Sequence, residues 1–321
     1  MTHARSSPTV SRRLVLQAGA ALPLAACAAR PSTDALPAAP ASPSTAAPAS
    51  PSSTAPASAA FSHHRFTSAD GTSLSYFRKG TGPALVWVHG ALSLWSDWRD
   101  VAERLSPHFT NHVLERRGRG QSGDSPRYAL EREVEDVLAL MKLAGPDAAL
   151  FGHSFGGVLA LEVARQVAPA KLLVYEPPLP VTQPVSGPFL EEFKQTLQRE
   201  GPDAALVLFN QKLLFTPPAE LEAFRQSLVW SRQVGMTAGF TRELEALETL
   251  PLGLDRYRQV TTPTLVLLGD QSTEVLLAQP CRAVATTLPN ARLNVLGGQG
   301  HVAHVTAPDL LAREVLAFLR G

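Results

Sequence analysis

Cysteine is scarce: the 321-residue chain holds only Cys27 and Cys281. Two thiols so far apart, in unlike contexts, exclude a disulfide framework, and stability must come from a buried core. Charge of one sign is lacking as well. A formal net charge of +1 gives no bulk attraction to nucleic acid or to any highly charged partner. The N-terminal region also lacks a hydrophobic run long enough to span a bilayer. Its apolar stretch, residues 14–26, is broken by Pro23, and about 13 residues fall short of the roughly 20 that a membrane helix needs. What remains is the ordinary balance of an alanine-rich globular protein, 45% hydrophobic and 18% charged.

Residues 1–27 read as a targeting segment. Arg12-Arg13 stands directly before the apolar stretch, which runs into Leu24-Ala25-Ala26-Cys27. A short apolar core with small residues at its end fits a cleaved signal peptide. The arginine pair resembles the bacterial twin-arginine export signal, and Leu-Ala-Ala-Cys is similar to the lipobox of bacterial lipoproteins. Those resemblances imply cleavage after Ala26, lipid on the Cys27 thiol, and an exported protein anchored on the periplasmic side of a bacterial membrane. Plain cleavage, with Cys27 incidental, is the alternative. Residues 28–60 are Ala, Pro, Ser and Thr, interrupted only by Arg30, Asp34 and Leu36. Such a segment has nothing to bury against its ordering entropy, so an extended tether is expected.

From residue 61 onward strands and helices alternate, as in a parallel sheet with helices on both faces. Residues 61–66 and 73–79, split by Asp70-Gly71, predict an antiparallel hairpin. Residues 84–88 form a continuous apolar run, typical of a strand covered on both faces, and lead into His89-Gly90-Ala91. A short strand at 112–114 runs into Arg116-Arg117-Gly118-Arg119-Gly120. Helical spacing over 128–144 stops at Gly145-Pro146. A strand at 171–175 ends in Glu176-Pro177-Pro178. Across 179–258 the rhythm is lost; Phe189, Phe193 and Leu197 share a helical face, as do Leu221, Phe224 and Leu228. It returns with a strand at 264–268, a helix at 275–287, a strand at 292–296 and a last helix at 308–319. Residues 61–178 and 259–321 are thus expected as the core, with a helical insertion between them.

The stretch Gly152-His153-Ser154-Phe155-Gly156 is a G-x-S-x-G pentapeptide, with an apolar run before it and a helix-capable run after it. A serine hydroxyl is a poor nucleophile at neutral pH and must stand on a sharp turn where a base can take its proton. The flanking glycines leave no Cβ to clash where strand turns into helix. The region resembles the nucleophile elbow of the α/β-hydrolase family, and the resemblance extends over roughly residues 61–321. It implies an α/β fold, a doubly wound, mostly parallel sheet with a helical lid, residues 179–258, inserted between sheet strands. It also implies Ser154 as nucleophile, followed in chain order by an acid and a histidine. His301, on the glycine-rich loop Gly297-Gly298-Gln299-Gly300, is the favoured base; His304 competes but is better placed to open the last helix. The N–H groups of Phe155 and Ala91 are the candidate oxyanion donors, with His89 propping the second loop. The acid departs from the family pattern. In most members it lies three residues past a glycine ending the next-to-last strand, and after Gly269 that position is Ser272, which cannot ionise. Glu176, another place where family members carry it, is favoured over Asp270, with Glu274 also nearby.

The chemistry implied is hydrolysis of an ester or related acyl bond of a small molecule through an acyl-enzyme, with no cofactor and no metal. A haloperoxidase-like or C–C-bond hydrolase with the same triad is the alternative. A non-catalytic binding protein is a second, although it has no need of Ser154 and His301 together on glycine-rich turns. Arg116 to Gly120 is expected as a structural turn of paired charges, not a phosphate cradle. Trp95, Trp98, Phe155, Phe215, Trp230 and Met236 are candidates for either an apolar pocket or the core. His63-His64 reads as a solvated loop, and Cys281 as a small buried hydrophobe.

Overall fold

The computed structural model describes residues 60–321; Cys27 and the stretches expected as a targeting segment (1–27) and, up to residue 59, as a tether lie outside the described residues. Strands β1 (Ser62–Thr67) and β2 (Ser73–Lys79) form the antiparallel hairpin that opens the fold. His63 and His64 belong to β1 and not to a loop, with their rings stacked on Phe77 and Tyr76. Six further strands follow: β3 (Ala84–Val88), β4 (Thr110–Glu115), β5 (Ala149–His153), β6 (Leu172–Tyr175), β7 (Thr264–Gly269) and β8 (Ala291–Leu296). The sheet order is β1-β2-β4-β3-β5-β6-β7-β8, and every pairing from β4 to β8 is parallel.

Side chains alternate across a strand, so the apolar run of β3 serves two cores at once. Val86 and Val88 pack against α2 (Leu130–Ala144), α3 (Phe155–Ala164) and α8 (Gln279–Thr287). Leu85 and Trp87 face α1 (Arg99–Leu105) and α10 (Pro308–Arg320) on the opposite side. This is a doubly wound α/β sheet. Cys281 is buried in the first of these cores, where desolvation raises its thiol pKa well above the ordinary value.

Between β6 and β7 the chain leaves the sheet to build α4 (Pro188–Glu200), α5 (Pro202–Lys212), α6 (Pro218–Arg225) and α7 (Leu228–Glu248). The first three start with proline, whose missing N–H costs nothing in the first turn. Phe189, Phe193, Leu206, Trp230, Phe240 and Leu244 give the insertion an apolar cluster of its own. The expected shared face of Leu221, Phe224 and Leu228 does not form. Ser227 breaks the chain between α6 and α7, caps α7 by accepting the Trp230 N–H at 3.1 Å, and leaves Leu228 exposed. The helix expected from 275 also differs: residues Glu274–Ala278 wind as a wider π-type turn before α8 begins. His304 does not open α10. It lies in a separate short helix, α9 (Ala303–Thr306), buried with its ring stacked 4.4 Å from Trp98. Among the described residues no helix is long and apolar enough to cross a membrane.

Candidate active site

Strands β3 and β5 are neighbours although β4 separates them in the chain, and Val88 pairs with Gly152. The loops leaving these two strands therefore emerge side by side at the carboxyl edge. The strand order changes direction here, which in open α/β sheets leaves a ligand crevice. One loop is His89-Gly90-Ala91; the other is the turn at Ser154.

Ser154 is itself the bend, with φ 54° and ψ −125° between β5 and α3. A left-handed backbone costs a non-glycine residue of order 1–3 kcal/mol and persists only where its surroundings enforce it. Here the Ser154 N–H donates to the Tyr175 carbonyl at 2.8 Å, and the Gly157 N–H donates to the Ser154 carbonyl at 2.8 Å. A Cβ on Gly152 would strike the Gly156 carbonyl oxygen, and one on Gly156 would strike that of Val88. Only hydrogen at both positions lets α3 start this close to the sheet.

The loop after β8 carries His301 to this bend. His153 Nε2–H donates to the His301 carbonyl at 2.9 Å, and the two rings lie 4.5 Å apart. The Tyr175 hydroxyl donates to the Gly300 carbonyl and accepts the Ala303 N–H at 3.2 Å. The residue before Ser154 thus grips the backbone of His301 directly.

Glu176 directly follows β6 in a second left-handed conformation, φ 49°, and is fully buried. Its Oε2 accepts from His301 Nδ1 at 2.6 Å. Its Oε1 accepts the Gly269 N–H at 2.7 Å and the Ser272 hydroxyl at 2.5 Å. The serine that cannot ionise therefore supports the carboxylate that reaches the imidazole. With Nδ1 as the donor, a neutral ring keeps Nε2 as a proton acceptor. Asp270 is not brought to His301. It is exposed, and its Oδ1 accepts from the Gln271 side chain and the Gly298 N–H, both at 2.9 Å; these bonds lower its pKa. Glu274 pairs with Arg282 at the surface.

Phe155 is the first residue of α3, where a backbone N–H has no acceptor within the helix. Gly90, just before Ala91, abuts the elbow: a Cβ there would lie 2.9 Å from the Ser154 Cβ. His89 is buried, donates from Nδ1 to the Gly90 carbonyl at 2.9 Å and accepts the Arg116 N–H on Nε2 at 3.3 Å. Burial, and then the Arg116 charge, push its pKa far down, so a neutral ring props the loop.

The remaining candidates divide. Trp98 and Phe155 are core residues, Trp95 stacks on Phe77 at 3.7 Å, and Trp230 is buried in the insertion with Nε1–H on Asp203 at 2.7 Å. Phe215 is exposed. Met236 lines a cleft of about 390 Å³ with Arg119 and Arg242, which Ser154 does not line. The arginine turn after β4 is built of buried ion pairs, Arg117 to Asp136 at 2.7 Å and Arg116 to Glu133 at 2.6 Å. Sequence reasoning singled out neither His153 nor Tyr175, because a residue's contacts across parallel strands leave no mark in its own neighbourhood.

The alpha/beta hydrolase family, as a sequence model, matches residues 85–314. Over 127 residues the chain is 39% identical to N-formylmaleamate deformylase of Pseudomonas putida, a match covering 38% of this chain and 45% of that protein. A non-heme haloperoxidase of Rhodococcus erythropolis is 27% identical, covering 79% of this chain and 98% of that protein. Among solved structures, an alpha/beta hydrolase from Sphaerobacter thermophilus has a TM-score of 0.70 at 33% identity, covering 80% of this chain and all of that one. Sheet order, elbow geometry and these matches agree: the chain belongs to the alpha/beta hydrolase family.

Proposed function

We propose that the protein is a serine hydrolase that cleaves an ester or related acyl bond of a small molecule. One observation carries this reading: the bond from His301 to buried Glu176, beside a serine held at positive φ. Ser154 Oγ attacks the carbonyl carbon as His301 Nε2 takes its proton. The Phe155 and Ala91 N–H groups receive the charge developing on the carbonyl oxygen. The imidazolium, steadied by Glu176, returns the proton to the leaving group, and Ser154 keeps the acyl group. Water, deprotonated by His301, then releases the acid and frees Ser154. The name of the deformylase relative supports including acyl groups on nitrogen.

The haloperoxidase relative supports a second reading, in which peroxide takes the place of water and the acyl group leaves as a peracid. Helices α4–α7 act as the lid over the crevice. Arg12-Arg13 and Leu24-Ala25-Ala26-Cys27 support export and lipid attachment at Cys27, which places the enzyme on the periplasmic side of a membrane.

Fluorophosphonate labelling followed by peptide mapping tests activation and position together. A single adduct on Ser154, absent from Ser154→Ala, is expected. An unlabelled, folded enzyme that also fails on a p-nitrophenyl ester series sinks the reading.

A further inference from the structure

Arg116 is fully buried, and its guanidinium is committed to more than charge neutralisation. Nε and Nη2 donate to the two oxygens of Glu133 on α2, at 2.7 and 2.6 Å. Nη2 also donates to Glu243 on α7, at 2.8 Å. Glu133 and Glu243, whose Oε1 also accepts from Arg119 at 2.7 Å, suffice to balance and pair Arg116. Two further contacts are left over. Nη1 donates to the Gly90 carbonyl at 3.0 Å, and the guanidinium carbon lies 4.4 Å from the centroid of the Phe155 ring.

Both leftover contacts fall on the residues that carry the oxyanion donors. The Gly90 carbonyl and the Ala91 N–H belong to one peptide group, which is trans, so they point in opposite directions. Arg116 and His89 both donate to that carbonyl, and two donors pin the plane of the peptide. A charged donor on the oxygen also polarises the amide and strengthens its N–H as a donor. The same guanidinium braces Phe155, whose N–H supplies the second donor. Leu92, the residue after Ala91, has φ 53° and packs into the apolar cluster of the insertion.

We propose that Arg116 is a positioning residue for the oxyanion hole, and that Glu243 makes the geometry of that hole depend on the seating of the inserted helices. This rests on the serine-hydrolase reading. The oxyanion is held by a peptide whose reverse side is tied, through one guanidinium, to helix α7.

The test compares the full-length enzyme with Arg116→Met, Arg116→Lys and Glu243→Gln. The readouts are kcat and KM on p-nitrophenyl acetate, and Ki for an aryl trifluoromethyl ketone, whose adduct with Ser154 carries the oxyanion. In folded Arg116→Met we expect kcat to fall about 10- to 100-fold with KM within about 3-fold, because the lost stabilisation belongs to the transition state. Ki rises in step with the loss of kcat/KM across the series, and Arg116→Lys and Glu243→Gln fall between parent and Arg116→Met. If Arg116→Met does not fold, the other two variants decide. Variants that lose thermal stability with kcat unchanged, or lose kcat with Ki unmoved, overturn the proposal. A parent enzyme that neither turns over esters nor labels at Ser154 removes the hydrolase reading itself, a different result from an active parent indifferent to Arg116.

Discussion

Glu176 and His301 are 125 positions apart and meet through a 2.6 Å hydrogen bond from Nδ1 to Oε2. The carboxylate reaches the imidazole from the tip of β6, and the residue at the more usual acid position, Ser272, donates to its other oxygen at 2.5 Å. The two neighbouring strand ends β6 and β7 thus share one task, the first supplying the charge and the second its support.

Exchange of Glu176 is therefore expected to cost far more than exchange of Asp270. Glu176→Gln lowers kcat by about 10⁴-fold, the scale seen when the acid of such a triad loses its charge. Asp270→Asn leaves kcat within a few-fold, because it touches only the Gln271 amide and the 298 loop. Adding Ser272→Asp to Glu176→Ala recovers at least about 10-fold over the single variant, since that position already lies within hydrogen-bond reach of the lost carboxylate. Steady-state ester hydrolysis measures all of these, and equal losses in Asp270→Asn and Glu176→Gln would contradict the arrangement.

Strain at the elbow predicts opposite signs for activity and stability. Ser154→Ala loses at least about 10⁴-fold in kcat. Ser154→Gly is just as inactive, yet is more stable than Ser154→Ala by about 1 kcal/mol, because glycine accepts φ 54° without penalty. Urea unfolding of the two variants checks this; equal midpoints would mean that the backbone is unstrained.

Acid should unfold the protein through its buried imidazoles. Desolvation is the main cause in each case: it lowers the pKa of His304 to about 3 and of His112 to about 4, and holds those of His89 and His153 well below the ordinary 6.5. Between these values and 6.5 the unfolded chain binds the extra protons. Stability is thus complete above about pH 6.5 and falls as the pH drops, by up to about 1.4 kcal/mol per pH unit for each such group. His304→Phe, which gives up a ring nitrogen without a partner, makes the decline shallower. Urea midpoints between pH 8 and 4 measure the slope, and an unchanged slope in the variant rules His304 out as a contributor.

The buried pair of Arg117 and Asp136 should separate folding from chemistry. Arg117 holds Asp136 through two bonds of 2.7 Å, and neither side chain bonds to Ser154, Glu176 or His301. Asp136→Ala is expected to destabilise by roughly 3 kcal/mol, the low end for a broken buried pair, because the buried guanidinium loses its two-pronged partner and keeps only Asp70, at 3.0 Å. The kcat of the folded fraction stays within about 3-fold of the parent, as expected for a loss outside the reacting groups. Calorimetry and turnover at low temperature test the two halves independently.

Much of the fold was legible because its signals are local. Apolar runs, glycine-proline stops and the pentapeptide around Ser154 mark strands, helices and the elbow within a few residues of each. Where the local signal was ambiguous, the reading differed from the structure. Leu228 matched the spacing of Leu221 and Phe224, but one helix ends at Arg225 and Ser227 caps the next. His304 stood near the start of a helix, yet its ring found Trp98 instead of solvent.

The order of residues was enough to specify the class of sheet, the place of the serine and the presence of a helical insertion. Each follows from side-chain periodicity and from backbone freedom at neighbouring positions. Tertiary structure alone decided which carboxylate meets His301, what Ser272 does there, and that one arginine touches the Gly90–Ala91 peptide, Phe155 and helix α7 together. Those relations depend on strand order and on the depth at which each strand ends, and parallel neighbours far apart in the chain write neither into the residues beside them.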